Sequence, residues 1–185
     1  MTKVALRVQI NKLLEEKGSV VLVIEGPCGA GKSTLAKELA EEFSARLFHA
    51  DDYFLRPEQR TPERLSEIGG NFDRERFFAE VARPAKKRQD AICRNYSCST
   101  GTLSDEFRVE FAPVTVIEGS YCMHPELGAY YDMAVFLTIS PDEQSRRIMQ
   151  RNGPAMHKRF MEEWIPMENR YFEAMQVAER CGFVI

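Results

Sequence analysis

The chain has 185 residues, with 25 Lys and Arg, 28 Asp and Glu, and a formal net charge of −3. This balance creates no overall positive field, so the composition does not predict a nucleic-acid partner. No apolar run approaches the length of about 20 residues that a membrane span needs. The five cysteines are too scattered for a disulfide framework or a zinc site. We therefore expect one cytoplasmic domain over residues 1–185, with no membrane partner.

The first predicted element is an amphipathic helix over about residues 2–16. Apolar side chains recur at helical spacing from Leu6 to Leu14, and Gly18 marks the end of the pattern. Residues 19–24 follow as a continuous apolar run that is rich in β-branched side chains. Such a run predicts a strand that is buried on both faces, as in a parallel sheet.

A complete phosphate-binding motif, G-x-x-x-x-G-K-[ST], follows this strand. The motif and the residue after it are Gly26, Pro27, Cys28, Gly29, Ala30, Gly31, Lys32, Ser33 and Thr34. In such a loop the glycines let backbone N–H groups point at phosphate oxygens, while the lysine reaches the β- and γ-phosphates. The hydroxyl that follows the lysine ligates Mg²⁺, and the next helix directs its positive dipole end at the phosphates. We therefore predict that residues 26–34 bind ATP with Mg²⁺.

The chain then continues with a predicted helix to about residue 43 and a short strand over residues 46–50. Residues 55–70 are polar and contain two prolines and two glycines, which predicts a loop with one short helix. Residues 74–88 have helical spacing. A kink or break is expected at Pro84, because proline lacks the backbone N–H that a helix interior uses.

Two short strands, residues 92–96 and 107–111, are predicted around a turn that contains Gly101. The later elements are a buried strand at 114–119, a helix at 125–131, a strand at 133–139, a helix that begins at Ser140, and a last strand at 182–185. Buried strands that alternate with helices predict a parallel sheet covered on both faces. The expected fold is therefore α/β: a three-layer P-loop NTPase fold with a mostly parallel sheet and a small helical lid at about 141–175.

Carboxylates are predicted at the carboxyl ends of two further strands, where parallel α/β sheets bind their ligands. Asp51 and Asp52 follow the strand at 46–50, and Glu118 closes the strand at 114–119. Phosphoryl transfer needs a base or positioner for the acceptor hydroxyl, a role that an aspartate facing the γ-phosphate can fill. Glu118 suits a metal ion, because a buried carboxylate needs a partner. The alternatives are an Asx turn or helix cap for the paired aspartates, and a salt bridge to Arg or Lys at the sheet edge for Glu118.

Three arginines lie on the helix that begins at Ser140. Arg147 and Arg151 are four residues apart and share a face, with Arg146 beside them. Arginines near donor phosphates stabilise the charge of the transferring phosphoryl group, so Arg147 and Arg151 join Lys32 as candidate catalytic residues. A solvated charged face is the alternative. The three histidines lack the spacing of a metal site and receive no role.

Several segments together resemble uridine kinases, which are P-loop small-molecule kinases related to phosphoribulokinases and bacterial pantothenate kinases. The segments are residues 49–54 (HADDYF), 70–73 (GNFD) and 117–121 (IEGSY), and the similarity extends over about residues 19–175. The resemblance implies an ATP-dependent kinase that transfers the γ-phosphoryl group to a hydroxyl of a small-molecule substrate. It also implies that the acceptor is a nucleoside such as uridine or cytidine.

The resemblance assigns roles to individual residues. The Mg²⁺ ligands that it implies are Ser33, Asp51 and Glu118. The acceptor contacts that it implies are Asp51, Tyr53, Asp73 and Tyr96. The phosphate-gripping arginines of the lid that it implies are Arg147 and Arg151. In this scheme Asp51 is also the catalytic base, and Asp73 binds the sugar hydroxyls of the acceptor.

The sequence departs from these kinases where their acceptor hairpin carries an Asp and then a His after the tyrosine. Here Tyr96 is followed by Ser97-Cys98-Ser99-Thr100-Gly101. Three alternatives therefore stay open: a kinase for a non-nucleoside metabolite of the pantothenate or sugar-phosphate type, a nucleoside monophosphate kinase, and a catalytically silent ATP-binding protein. A GTPase switch is excluded, because the chain has neither an N-K-x-D nor a D-x-x-G motif. Whether the chain forms a homo-oligomer is left open.

Overall fold

The computed structural model describes residues 2–185. Its helices are α1 (Lys3–Lys17), α2 (Lys32–Glu42), α3 (Pro62–Ser66), α4 (Arg74–Phe77), α5 (Arg83–Lys86), α6 (Pro141–Arg159), α7 (Ile165–Ala174) and α8 (Val177–Arg180). Its strands are β1 (Val20–Glu25), β2 (Arg46–His49), β3 (Ala91–Cys93), β4 (Tyr96–Ser97), β5 (Thr102–Leu103), β6 (Phe107–Val109), β7 (Val114–Glu118), β8 (Met133–Phe136) and β9 (Phe183–Val184). Short 3-10 turns occupy Ala50–Tyr53, Pro57–Gln59 and Gly128–Tyr130, and π-helical turns occupy Phe78–Ala82 and Phe160–Trp164. No helix within residues 2–185 combines the length and the apolar character that crossing a lipid bilayer requires.

Five strands form a central parallel sheet in the order β2-β7-β1-β8-β9. β1 and β7 are buried along their whole length, as expected for parallel strands covered on both faces. The register pairs Glu118 of β7 with Ile24 of β1 on one side and with His49 of β2 on the other. The carboxyl ends of these three strands therefore meet at one edge of the sheet, where the phosphate loop begins.

Alternate residues of β1 face the two halves of the core. Leu22 and Ile24 belong to an apolar cluster with side chains of α1 and α2. Val21 and Val23 belong to a second cluster, which includes Tyr171 of α7. Helices thus cover both faces of the sheet, and the predicted three-layer α/β fold is confirmed.

The predicted N-terminal helix is confirmed as α1. The Thr2 hydroxyl accepts a hydrogen bond from the Ala5 N–H at 3.3 Å at its start, and Gly18 ends it with a positive φ of 71°. Leu6 and Ile10 are fully buried, so the apolar stripe read from the sequence is the face that packs on the sheet. The strands predicted around residues 19–24, 46–50, 114–119, 133–139 and 182–185 are likewise confirmed, as β1, β2, β7, β8 and β9.

The predicted break at Pro84 takes the form of a wider helical turn. α4 continues through the π-helical turn Phe78–Ala82 into α5, and the Arg83 N–H donates to the Phe78 carbonyl. Proline has no N–H to donate and its ring crowds the carbonyl four residues earlier, so a wider turn before it relieves the clash. The chain therefore stays helical from Arg74 to Lys86.

Two antiparallel strand pairs form a hairpin over residues 91–109. The outer pair β3–β6 confirms the two predicted strands, and an inner pair β4–β5 carries the predicted turn with Gly101. The helix predicted at 125–131 is wrong, because that segment contains only the 3-10 turn Gly128–Tyr130. Gly128 lies in the middle of this segment and disfavours a helix by about 1 kcal/mol relative to alanine. Seven residues also form too few hydrogen bonds to offset the free-energy cost of helix nucleation.

The lid predicted at about 141–175 is helical but interrupted. α6 begins after Ser140, whose hydroxyl accepts a hydrogen bond from the Glu143 N–H at 3.4 Å. Gly153 has φ 75° and ψ 173°, so the helical backbone breaks there, just before Pro154. After a further π-helical turn, α7 returns to the core. The predicted arginines lie before the break.

Candidate active site

The phosphate loop lies between β1 and α2, as predicted. Gly26, Gly29 and Gly31 have positive φ angles of 136°, 79° and 95°, which L side chains rarely adopt. A Cβ at Gly26 would also collide with the carbonyl oxygen of Leu137, a neighbour on the β8 side of the sheet. The glycines therefore set the path of the loop before α2 begins.

The first backbone N–H groups of the loop are used within the protein. The Gly26 N–H donates to Glu25 Oε2 at 3.4 Å, and the Cys28 N–H donates to Glu168 Oε2 at 2.9 Å. Pro27 between them has no N–H. The prediction that Gly26, Pro27 and Cys28 bind the nucleotide therefore needs a correction: these three residues shape the loop and offer no free N–H to a phosphate.

The second part of the loop has free donors. Within residues 2–185, the N–H groups of Gly29, Gly31, Lys32 and Ser33 have no protein acceptor, whereas the Ala30 N–H closes a turn with Pro27. Consecutive unpaired N–H groups at the start of a helix are the donor set that binds phosphate oxygens. The cradle that the sequence predicts therefore begins at Gly29.

Lys32 lies folded along the loop. Its Nζ donates to the carbonyl oxygens of Gly26 at 2.6 Å and of Pro27 at 3.1 Å, and the residue is 9% exposed. These two carbonyls belong to residues 26–28, the part of the loop that offers no free N–H group. The cation of the loop is thus held within the motif itself.

Asp51 and Asp52 lie on the 3-10 turn that follows β2. No hydrogen bond of either carboxylate is found within residues 2–185, so the alternative of an Asx turn or a helix cap is not realised. Asp51 is exposed at the surface of the cleft, but the protein atoms around its carboxylate partly exclude water from it. This desolvation, together with the nearby Glu118 charge, raises the pKa of Asp51 above its ordinary value.

Gly119 allows the ends of β2 and β7 to approach each other. Its φ is 137°, and a Cβ at this position would lie 2.5 Å from the Cβ of Ala50. Since Ala50 begins the turn that carries Asp51, the glycine after Glu118 fixes how close the two carboxylates come. The Glu-Gly pair seen in the sequence therefore has a steric basis.

Glu118 connects the loop to the end of β2. Its Oε1 accepts hydrogen bonds from Ser33 Oγ at 3.1 Å and from His49 Nδ1 at 2.6 Å. The hydrogen bond to Glu118 raises the pKa of His49, a residue to which the sequence assigned no role. The salt bridge to Arg or Lys, the alternative for Glu118, is not found among residues 2–185. Both groups at the Glu118–Ser33 contact are oxygen donors of the kind that Mg²⁺ prefers.

No cluster of three or more His, Cys, Asp and Glu side chains suited to a metal ion occurs among residues 2–185. The side chains of Ser33 and Glu118 therefore fit a hard cation that takes its remaining ligands from phosphate and water, as Mg²⁺ does in nucleotide sites. A metal held by protein side chains alone does not fit this site.

The predicted acceptor residues are mostly enclosed. Tyr53, Asp73 and Tyr96 are 1%, 2% and 5% exposed. Asp73 Oδ1 accepts from the Arg76 N–H at 3.1 Å, which caps α4, and Oδ2 accepts from Gln59 Nε2 at 3.0 Å. The strand β4, which carries Tyr96, packs against the Asp51 turn.

Tyr53 requires a correction. Its ring packs edge-on against Phe77, with centroids 5.1 Å apart, and the Arg76 guanidinium lies 4.1 Å from its centroid. The aromatic ring is therefore part of the core beneath the cleft and does not line an acceptor pocket.

The lid contacts the loop through two side chains of α6. Arg147 donates to the Gly29 carbonyl at 3.1 Å, and Gln144 Nε2 donates to the Cys28 carbonyl at 2.9 Å. Arg151 instead donates to Asn152 Oδ1 at 2.8 Å. Of the two predicted lid arginines, the structure therefore brings Arg147 to the loop and leaves Arg151 apart from it.

Two buried carboxylates next to the loop were missed by the sequence analysis. Glu25, at the end of β1, accepts hydrogen bonds from the Met123 N–H and the Tyr171 hydroxyl, both at 2.9 Å. Burial raises the pKa of Glu25 to about 7. A charged residue that closes an apolar strand was the signal that singled out Glu118, and Glu25 carries the same signal.

Glu168 of α7, the second missed carboxylate, is separated from the loop by most of the chain and follows no motif. Its carboxylate nevertheless acts directly on a loop residue, Cys28. Burial, followed by the charge of Glu168, raises the pKa of the Cys28 thiol to about 12, so this loop cysteine stays protonated at neutral pH.

Comparison with known structures agrees with this architecture. A possible uridine kinase from Bacillus stearothermophilus aligns with a TM-score of 0.70 at 23% identity, over 98% of this chain and 99% of that chain. A proposed fructose transport system kinase from Silicibacter sp. TM1040 aligns with a TM-score of 0.65 at 19% identity, over 100% and 99%. YFH7 from Saccharomyces cerevisiae, a proposed P-loop containing kinase with a circular permutation, aligns with a TM-score of 0.70 at 11% identity, over 95% and 96%. At these identities the similarity concerns the fold.

At the level of sequence, no curated protein matches the chain. The AAA domain family, AAA_18, matches residues 22–176. This range begins within β1 and includes the phosphate loop, the carboxylates at the strand ends and the lid. The chain therefore belongs to the AAA domain family of P-loop proteins, and its fold is that of the uridine kinase-like P-loop kinases.

Proposed function

We propose that the protein is an ATP-dependent kinase that transfers the γ-phosphoryl group to a hydroxyl of a small molecule. The observation that carries the proposal is the position of Glu118, which accepts hydrogen bonds from Ser33 in the phosphate loop and from His49, two residues before Asp51. This contact joins a phosphate cradle and a free carboxylate in one cleft. A cradle alone supports nucleotide binding, whereas the added base supports transfer to a hydroxyl.

The donor side of the reaction is assigned to the loop. The N–H groups that begin at Gly29 would hold phosphate oxygens, and Lys32 would exchange its loop carbonyls for the β- and γ-phosphates. Ser33 and Glu118 would hold Mg²⁺, which neutralises phosphate charge when it is bound. Arg147, which donates to the Gly29 carbonyl, would add positive charge over the phosphates.

The acceptor side is assigned to Asp51, which would accept the proton of the attacking hydroxyl or hold that hydroxyl in line. Within residues 2–185 its carboxylate has no hydrogen-bond partner, and its raised pKa makes it a better base than an ordinary aspartate. Following the uridine kinase resemblance, we assign a nucleoside as the acceptor, with Asp73 and Tyr96 as its contacts. Asp73 Oδ2 would then exchange its bond with Gln59 for vicinal hydroxyls of the sugar.

ADP release measured with Mg²⁺ and ATP against a panel of acceptors tests this function. The panel contains uridine, cytidine, their 2′-deoxy forms, the nucleoside monophosphates, pantothenate and sugar phosphates. We expect turnover of a ribonucleoside in preference to its 2′-deoxy form, because a site built to bind a hydroxyl rejects an analogue that lacks it. Turnover of a non-nucleoside alone would contradict the nucleoside assignment. Nucleotide binding without turnover of any acceptor would favour the silent ATP-binding alternative.

A further inference from the structure

Glu168 is fixed between the phosphate loop and the segment after β7. Its Oε2 accepts the Cys28 N–H at 2.9 Å, and its Oε1 accepts the Ser120 hydroxyl at 2.7 Å. The residue is 8% exposed, so both carboxylate oxygens are held in a buried place with a charge-assisted hydrogen bond on each. A carboxylate satisfied in this way keeps its partners in position.

Two peptide units flank the Cys28 α-carbon, and side chains hold both of them by hydrogen bonds. In the first unit, Glu168 accepts from the Cys28 N–H while Lys32 donates to the Pro27 carbonyl at 3.1 Å. In the second unit, Gln144 donates to the Cys28 carbonyl at 2.9 Å. A peptide unit is planar, so fixing the Cys28 carbonyl also fixes the direction of the Gly29 N–H in the same unit.

The Gly29 N–H is the first free donor of the cradle, and it lies directly after the residue that Glu168 holds. The Gly29 N–H belongs to the peptide unit that Gln144 holds, and Glu168 holds the preceding unit, so the two anchors together restrict rotation about the Cys28 α-carbon between them. Without Glu168 the preceding unit would keep only its hydrogen bond from Lys32, and ordering this part of the loop on nucleotide binding would cost free energy that an ordered loop does not lose. The contact between Glu168 and Cys28 is thus positioned to prepare the nucleotide site from a distant helix.

We propose that Glu168 is a positioning residue for nucleotide binding, which holds the Cys28 N–H and so prepares the phosphate cradle that begins at Gly29. The proposal rests on the proposed function, since it assigns the cradle to a nucleotide. It does not require any particular acceptor. Ser120 supports Glu168 from its other oxygen.

The test measures the dissociation constant of Mg·ADP by calorimetry for the wild type, Glu168→Ala and Glu168→Gln. Loss of a hydrogen bond to a charged group predicts about tenfold weaker binding or more for Glu168→Ala. Glu168→Gln should stay within about threefold of the wild type, because its carbonyl oxygen can accept the Cys28 N–H and its amide can donate to Ser120. In assays with an acceptor, the KM for ATP should rise in Glu168→Ala while the KM for the acceptor stays unchanged.

Glu173→Ala is the matched control, because Glu173 lies on the same helix, is exposed and forms no side-chain hydrogen bond to the loop. Binding of Mg·ADP by Glu168→Ala within twofold of Glu173→Ala would overturn the proposal. If Glu168→Ala does not fold, Ser120→Ala carries the test, with about threefold weaker binding expected and binding within 1.5-fold overturning it. Failure of the wild type to bind Mg·ADP would instead overturn the proposed function itself.

Discussion

The donor and acceptor halves of the cleft are organised in different ways. On the donor side, the N–H groups of Gly29, Gly31, Lys32 and Ser33 are free of protein acceptors within residues 2–185, and the Lys32 side chain already lies along the loop. On the acceptor side, Asp73 is 2% exposed and both of its oxygens are engaged. In the proposed function the backbone donors would receive a phosphate without losing a partner, whereas Lys32 and Asp73 would each exchange a protein partner for a ligand.

Removing the loop cation should cause the largest effect. We expect Lys32→Ala to lower kcat/KM for ATP by about 10⁴-fold or more, because phosphate binding and charge stabilisation in the transition state are lost together. Lys37→Ala is a control on the same helix, since Lys37 is exposed and pairs only with Glu41 at 3.9 Å. Calorimetry that shows unchanged Mg·ATP affinity in Lys32→Ala would break the assignment of the donor half.

Asp51, the base in the proposed function, lies on the turn that follows β2. We expect Asp51→Asn to keep the fold and the affinity for ATP but to lose about 10²–10⁴-fold in kcat, the range for a positioned general base. Asp52→Asn is the matched control, because both aspartates lie on one turn and neither accepts a hydrogen bond within residues 2–185. A loss of kcat confined to Asp52→Asn would show that Asp52, and not Asp51, is the base. No loss in either variant would contradict the kinase mechanism.

Asp73 caps α4 in the structure and is also a proposed contact of the acceptor, and a substitution can distinguish these two roles. We expect Asp73→Asn to raise the KM for the acceptor by about tenfold with little change for ATP, because a carboxylate binds hydroxyls more strongly than an amide does. The variant should remain folded, since asparagine is also a good helix cap for α4. Gln59→Ala is the control: it removes the hydrogen bond from Gln59 to Asp73 Oδ2 but keeps the carboxylate and its ion pair with Arg76 Nε at 3.5 Å. An unchanged acceptor KM in Asp73→Asn would show that Asp73 caps α4 and does not bind the acceptor.

The last prediction concerns stability rather than catalysis, and it tests Glu25, the buried carboxylate at the end of β1. Burial raises the pKa of Glu25 to about 7 from the ordinary 4.5 that applies in the unfolded chain. Between these values the folded protein binds the proton more tightly, so the contribution of Glu25 to the free energy of unfolding falls as the pH rises. The difference corresponds to a loss of up to about 3 kcal/mol between pH 4.5 and pH 7.

Urea unfolding of the wild type and Glu25→Gln at pH 5, 6, 7 and 8 measures this effect. Glutamine does not titrate, so the variant should gain stability relative to the wild type as the pH rises, and the gain should level off above pH 7. Two pH profiles that run parallel would show that Glu25 keeps its ordinary pKa in the folded protein. Subtracting the profiles removes the contribution of all other titrating groups.

The sequence predicted the strand, the glycine loop and the helix of the donor half, because these elements lie in one local stretch. Which of these residues bind a nucleotide stays a prediction, and the side chains of α6 and α7 that hold the loop lie outside that stretch. The role of Tyr53 was predicted wrongly, because packing against Phe77 and Arg76 turns its side chain into the core, and sequence spacing does not report such packing. Glu168 could not be found, since nothing around α7 indicates that it meets Cys28.

The interruption of α6 at Gly153 has a mechanical consequence. Gln144 and Arg147 hold the loop from the part of the lid before the break, and Glu168 holds it from the part after. The loop is therefore attached to the helices on both sides of the break at Gly153, whose backbone has φ 75°. A change in the direction of α6 relative to α7 would thus act on the loop from two sides.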